Sequence, residues 1–314
     1  MQTVLKDTIS EVSGVLLGKE HQIKLALACL LSRGHLLIED LPGMGKTTLA
    51  HALAAVLGLS YNRIQFTSDL LPADILGVSI FDKNSGAFSF HPGPVFSQLV
   101  LADEINRSTA KSQSALLEAM EEKQVTIEGE TRKLPVPFFV IATQNPNSQG
   151  GTFPLPESQL DRFLMRIRLG YPDPAAERIL MQGEDRRLVL QRLTPTMTQE
   201  QLSELQLQCA SVKVSGALLD YVQRLVAYTR QGAEFAHGLS PRGSLALVAA
   251  ARSWAVLEGR SHVVPEDVQA VLPSIVEHRV REASGFVAEG FSNGNDHTGS
   301  ALVQRLLTQV DIIG

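Results

Sequence analysis

The sequence predicts an α/β fold, a parallel sheet sandwiched by helices, followed by a smaller all-α domain. Three observations carry this. Apolar runs at 35–39, 98–103 and 137–146 each end in polar residues, as buried parallel strands do at the carboxyl edge of a sheet. The first run leads into a glycine loop closed by Lys46-Thr47-Thr48, the form of a phosphate-binding turn at the start of a helix. Beyond Tyr171-Pro172-Asp173-Pro174 the strand pattern stops and helical periodicity takes over. The division therefore falls between residues 1–171 and 172–314, as a chain of 314 residues, longer than one typical core, leads one to expect.

In chain order, a first helix extends to about Leu17, the turn Gly18-Lys19-Glu20 follows, and a second helix spans roughly His21 to Ser32. After the strand His35 to Glu39 comes Asp40-Leu41-Pro42-Gly43-Met44-Gly45-Lys46-Thr47-Thr48. Gly43 and Gly45 let the backbone bend so that consecutive amides point at one anion, and the helix from Lys46 adds the positive end of its dipole. In this chemistry Lys46 pairs with the β and γ phosphates and the Thr47 hydroxyl holds magnesium. The usual pattern has glycine where this chain has Asp40.

A strand at Tyr61 to Phe66 follows the loop helix, and Ile75 to Phe81 and Ala87 to Phe90 flank Asp82-Lys83-Asn84-Ser85-Gly86, residues that favour a hairpin turn. The run at Gln98 to Asp103 places Asp103 and Glu104 in the crevice where α/β sheets bind ligands. There Asp103 binds magnesium, directly or through water, and Glu104 polarises the attacking water as general base. The competing reading is two exposed acids ahead of a helix capped by Ser108 or Thr109. A second hairpin is expected at Gln124 to Leu134 about Glu128-Gly129. The third strand, Pro137 to Pro146, ends in Asn145, placed either to touch the γ phosphate and the water or to form an Asx turn before Pro146.

In the helical part, Thr198 to Gln201 reads as a capping box, Ser215 caps an amphipathic run to about Arg230, and Ser240-Pro241 starts a helix that Gly259 ends. A helix from Pro265 to about Val280 completes a four-helix group. Residues 283–300 are rich in Gly, Ser and Asn and read as a loop before a last helix at 301–310. Arg242 occupies the first turn of its helix, where the dipole disfavours a cation. An ATP phosphate or a neighbouring acid would account for it.

Five segments in this order resemble the MoxR family of AAA+ ATPases: Glu39 to Thr47, Arg63 to Gly77, Ala102 to Arg107, Ala142 to Pro146 and Pro154 to Phe163. The resemblance covers essentially the whole chain, and Asp40 in place of the first loop glycine is typical of that family. It implies a P-loop AAA+ core with a helix-2 insertion, both hairpins facing the ring axis, and a helical lid. It also implies a ring, usually a hexamer, with ATP and Mg2+ between neighbouring subunits. By the same resemblance Leu17 and Gly18 lie against the adenine, and Pro42, Gly43, Met44, Gly45, Lys46, Thr47 and Thr48 surround the phosphates. Thr47 and Asp103 serve the metal, Glu104 and Asn145 serve the water, and Arg242 is the second sensor of nucleotide. Arg162 is the candidate finger reaching a neighbour's ATP. Arg166 and Arg168 compete for that role, although their alternation with Met165 and Ile167 suits the outer face of a strand. The implied work is chaperone-like remodelling or cofactor insertion, with a von Willebrand factor A domain protein as partner. A magnesium-chelatase-type motor and a nucleic-acid remodeller share the same ATP chemistry and stay open.

Composition narrows the remaining classes. Hydrophobic content of 44% and charged content of 19% describe an ordinary globular chain. Cys29 and Cys209 are too few and too separated for a disulfide framework or metal cluster, and the eight histidines form no metal-binding pair. No apolar run approaches the ~18 residues a membrane span needs. The segment Met1 to Ser10 lacks a signal-peptide core, so a cytoplasmic location is expected. A net charge of −5 without a dense Lys/Arg run weighs against broad nucleic-acid contact. Asp74-Ile75-Leu76-Gly77 fits the Asp-x-x-Gly of GTPases, but no Asn-Lys-x-Asp guanine-reading element occurs.

Overall fold

The computed structural model describes residues 1–83, 86–145, 152–183, 185–231, 234–283 and 300–312. Helices α1 (Gln2–Val15) and α2 (Glu20–Leu31) precede β1 (Leu36–Glu39) and, past the glycine loop, α3 (Lys46–Val56). Next come β2 (Tyr61–Gln65), the short α4 (Pro72–Leu76), the hairpin β3 (Gly77–Asp82) and β4 (Ala87–Pro92), then β5 (Leu99–Asp103) and α5 (Ala110–Glu122). A second hairpin, β6 (Gln124–Ile127) and β7 (Glu130–Lys133), leads to β8 (Phe139–Gln144), α6 (Glu157–Leu160) and β9 (Met165–Ile167). The remainder comprises α7 (Pro174–Gln182), α8 (Arg186–Gln191), α9 (Gln199–Ser211), α10 (Gly216–Gln231), β10 (Phe235–His237), α11 (Pro241–Leu257), α12 (Pro265–Val276), β11 (Arg281–Glu282) and α13 (Ala301–Gln309).

Five strands form one parallel sheet in the order β2-β5-β8-β1-β9. Alternate residues face opposite layers. Leu36, Ile38, Leu99, Leu101, Phe139 and Ile141 pack with α1, α2 and α3, while Leu37, Val100, Ala102, Val140 and Ala142 pack with α5 and Ile75 of α4. Burial on both faces explains why these strands read as unbroken apolar runs. The edge strand β2 buries only Ile64, and its exposed Asn62, Arg63 and Gln65 give the sheet edge a polar border. Glu39 is in register with Gln144, and Gln65 with Asp103, so the strands deliver their polar ends to one edge.

Several boundaries differ from those the sequence predicts. Ile75 and Leu76 lie in α4 and not in a strand, because Pro72 starts a turn that the Asp74 carboxylate closes by accepting from the Leu71 amide at 2.8 Å. The strand then begins at Gly77, where a Cβ would stand 2.4 Å from the His91 carbonyl oxygen. Residues 84 and 85 of the expected turn lie outside the described residues. The second hairpin forms as expected, with Glu128 and Gly129 both in the left-handed region its tight turn requires. The capping box closes reciprocally between Thr198 and Gln201, and Ser215 and Ser240 cap α10 and α11. Helix α12 stops at Val276, short of Val280. The chain there turns so that the guanidinium of Arg279 reaches the carbonyls of Phe163 and Leu164 and the Asp161 carboxylate. The antiparallel pair β10–β11 adds a small strand element to the otherwise helical part. Of the expected 283–300 loop, residues 284–299 lie outside the described residues.

His35, at the entry to β1, accepts from the Val140 amide through Nδ1 at 3.0 Å and directs Nε2 to the Met120 carbonyl at 3.3 Å, which defines a neutral ring. Burial pulls its pKa down to about 4. Because the unfolded chain takes up this proton first, its contribution to stability is complete above about pH 6.5 and is lost as pH falls toward 4. The loss reaches about 3 kcal/mol. Urea unfolding at pH 7 and pH 5 should show the decline, and His35→Gln should remove a large part of that pH dependence.

Candidate active site

The glycine loop links the end of β1 to the first turn of α3. Gly43 and Gly45 have φ of 83° and 91°, and a Cβ on Gly45 would stand 2.7 Å from the Leu16 side chain. Leu16 leads into Leu17 and Gly18, so the α1–α2 junction lies against the loop. A Cβ on Gly18 would meet the side chains of Asp173 and Ala176 at the start of α7. Pro42 is exposed, Met44 packs on the core, and Thr47 is exposed on the first helical turn beside the half-buried Thr48. Asp40, which replaces the usual glycine, accepts from the amides of Leu169 and Gly170 at 2.8 and 2.7 Å. A carboxylate at this position therefore ties the loop to the chain leaving β9.

Lys46 is buried and donates to the Asp40 carbonyl at 2.5 Å and to Asn145 Oδ1 at 2.9 Å. Burial lowers its pKa below the ordinary lysine value, opposed by the charges of Asp40, Asp103, Glu104 and Glu39. Asn145 then donates through Nδ2 to Glu104 Oε1 at 3.0 Å. A single buried amide thus spans the loop lysine and the carboxylate after β5. Glu104 holds φ of 57°, an uncommon conformation for a side-chain-bearing residue, and its amide donates to Thr143 Oγ1 at 2.8 Å. Thr143 in turn donates to Asp103 Oδ1 at 2.6 Å. The competing reading is right that α5 is capped at Thr109, but its two acids are not simply exposed: Asp103 is buried and both carboxylates are bonded into this network.

Partners invisible in the sequence complete it. The Arg63 guanidinium donates twice to Asp103 Oδ2, at 3.1 and 2.6 Å. Glu104 Oε2 accepts from Gln65 at 3.1 Å and from Arg107 at 3.0 Å. Arg63 and Gln65 belong to β2, and only the register of β2 on β5 brings them here.

Arg162 and Arg242 are elsewhere. Both pair with Glu121, Arg162 to Oε2 at 2.9 Å and Arg242 to Oε1 at 2.5 Å. They line one cavity with Gly34 and His35, at the amino end of β1, whereas the glycine loop follows its carboxyl end. Of the two partners that the sequence allows Arg242, a phosphate or a neighbouring acid, its own chain supplies the acid, Glu121. Arg166 and Arg168 are engaged by Glu39 at 2.9 and 3.6 Å, and Arg166 also donates to the Glu277 carbonyl. Arg166 alternates with the buried Met165 and Ile167, as the sequence suggested.

Cleavage of a nucleoside triphosphate is the reaction to which a phosphate cradle, a nearby carboxylate base and an amide joining them are suited. On a five-stranded parallel sheet followed by a helical part, they define an ATPase of the AAA class. Residues 35–165 match the ATPase family associated with various cellular activities (AAA), and residues 227–301 match the AAA lid domain. Chaperone MoxR1 of Mycobacterium tuberculosis is 42% identical over 88% of this chain and 75% of its own length. Uncharacterized protein YeaC of Bacillus subtilis is 44% identical over 89% of this chain and 88% of its own. The solved structure of a Cytophaga hutchinsonii protein, described as a candidate ATPase, superposes with a TM-score of 0.86 at 37% identity, covering 99% of this chain and 95% of that one. The chain belongs to the MoxR family of AAA+ ATPases, and it hydrolyses ATP.

Proposed function

We propose that this chain assembles, as a ring that is usually hexameric in such proteins, into an ATP-driven machine that remodels a protein partner in the cytoplasm. The observation that carries the catalytic part is the Asn145 bridge between Lys46 and Glu104. With nucleotide in place, Lys46 leaves Asn145 Oδ1 for the β and γ phosphates, Asn145 turns its amide to the γ phosphate and the water, and Glu104 accepts the water's proton. Leu17 and Gly18, beside the loop, take the adenine. The division between core and lid falls at 171/172, just beyond Leu169 and Gly170, whose amides Asp40 holds to the loop.

The Thr47 hydroxyl and Asp103 carboxylate are hard oxygen donors of the kind Mg2+ prefers. When bound, the ion neutralises charge on the β and γ oxygens. Arg63 donates to Asp103 Oδ2 and Thr143 to Oδ1, so an ion held by Asp103 would share the carboxylate with both.

A protein partner is favoured over nucleic acid by the net charge of −5 and by the exposed apolar side chains of the first hairpin, Val78, Ile80, Phe81 and Phe88. Both hairpins face the ring axis in this reading. The partner carries a von Willebrand factor A domain, and the work on it is chaperone-like remodelling or cofactor insertion. Glu104→Gln protein, held in the ATP state, is expected to capture such a partner, and the purified partner is expected to raise ATP turnover. Strong, salt-sensitive stimulation by duplex DNA would replace this reading with a nucleic-acid remodeller, since phosphate contacts weaken steeply as salt rises. Stimulation only by a tetrapyrrole-bound partner would favour a chelatase-type motor.

A further inference from the structure

Glu121 lies one residue before the end of α5 and divides its carboxylate between two guanidiniums from distant parts of the chain. Arg162 belongs to the turn before β9, and Arg242 to the first turn of α11. The cluster is accessible: the side chains of Arg162, Arg242 and Glu121 are 29%, 49% and 35% exposed. The other acid of the cluster is not available to these arginines, because Asp161 is taken by the buried Arg279 at 2.7 Å and by Ser240. Arg33 and Lys123 line the same cavity, of about 320 Å³, so cations outnumber acids there. The Arg242 guanidinium, with Arg162 adding, holds the Glu121 carboxyl below the usual range.

We propose that Glu121 acts as an internal stand-in for phosphate, a positioning residue that keeps Arg162 and Arg242 side by side until a neighbouring subunit's nucleotide displaces it. The proposal rests on the ring reading above. A terminal phosphate outcompetes the carboxylate because it carries more charge and three acceptor oxygens, and guanidinium forks bind both groups in the same geometry. Glu121 also ties the core helix α5 to α11, so its release removes one link between the core and the helical part as the arginines engage, while the links through Asp161 remain. The carboxylate thereby sets a threshold: nucleotide must displace an intramolecular competitor before subunits close on it.

The test is the ATP concentration that gives half-maximal oligomerisation, followed by light scattering and sedimentation velocity. It is measured in the Glu104→Gln background so that nucleotide is not consumed. Glu121→Gln removes the competing charge at near-constant shape and is expected to lower that concentration about three- to tenfold, the range open to two exposed ion pairs. Glu121→Asp keeps the charge and is expected to stay within about twofold of the parent. In the Glu104-intact protein, Glu121→Gln should lower KM more than it changes kcat. A half-maximal concentration that is unchanged or raised in Glu121→Gln, while the parent still assembles, overturns the role of Glu121 and leaves the ring reading standing. A parent that does not assemble with ATP defeats the ring reading, and this inference falls with it. Glu121→Ala repeats the measurement should the Gln variant melt early.

Discussion

Lys46→Ala is expected to abolish nucleotide binding, whereas Glu104→Gln is expected to keep binding and lose turnover by about 10²–10⁴-fold, the usual yield of a positioned general base. The asymmetry follows from the network. Lys46 is the buried cation at the mouth of the loop, and its removal leaves the backbone amides without their charged partner for the phosphates. Glu104 is joined to the loop lysine through Asn145, so an isosteric amide keeps the shape of the site while losing the proton acceptor. Titration with a fluorescent ATP analogue and a phosphate-release assay separate the two effects. Wild-type turnover by Glu104→Gln would remove Glu104 from the role of base. Asn145→Ala is expected to behave like Glu104→Gln and not like Lys46→Ala, since its amide orients and does not anchor.

The second large effect concerns Arg162. Its guanidinium lies with Glu121 near the amino end of β1, away from the loop of its own chain, so any nucleotide it serves belongs to a neighbour. Arg162→Ala is therefore expected to cut turnover by about 10³-fold or more with binding nearly intact, as loss of an arginine finger does. Mixing Arg162→Ala with Lys46→Ala subunits should recover part of the activity, because each supplies what the other lacks. Arg166→Ala serves as the contrast: it breaks the link between Glu39 and Glu277, the residue that follows α12, and is expected to lower thermal stability. A fully active monomer with ATP would overturn the shared-site geometry.

Much of the fold was legible because its signals are local. The alternation of strand and helix, the glycine loop, the capping box at Thr198 and the Glu128-Gly129 turn each rest on residues within a few positions of one another. One local contest went the other way at Ile75, where the Pro72 start and the Asp74 cap outweighed the strand pattern that follows. The helix ending at Val276 and the β10–β11 pair were not legible, since contacts with Phe163 and Leu164 and pairing across 235–282 decide them.

Among the described residues no helix is long and apolar enough to cross a membrane. The sequence by itself determined the chemistry offered: a lysine and threonine after paired glycines, two acids after one buried strand, and an amide after the next. Those groups sit at strand ends, and a parallel sheet must bring strand ends to a common edge. Only the tertiary structure decided which groups meet. Arg63 reaches Asp103 across 40 positions, Asn145 reaches Lys46 across 99, and Arg242 reaches Glu121 across 121. Such pairings depend on strand register and on how helices pack over the sheet, which short-range propensity does not encode, and they decide which carboxylate each cation neutralises.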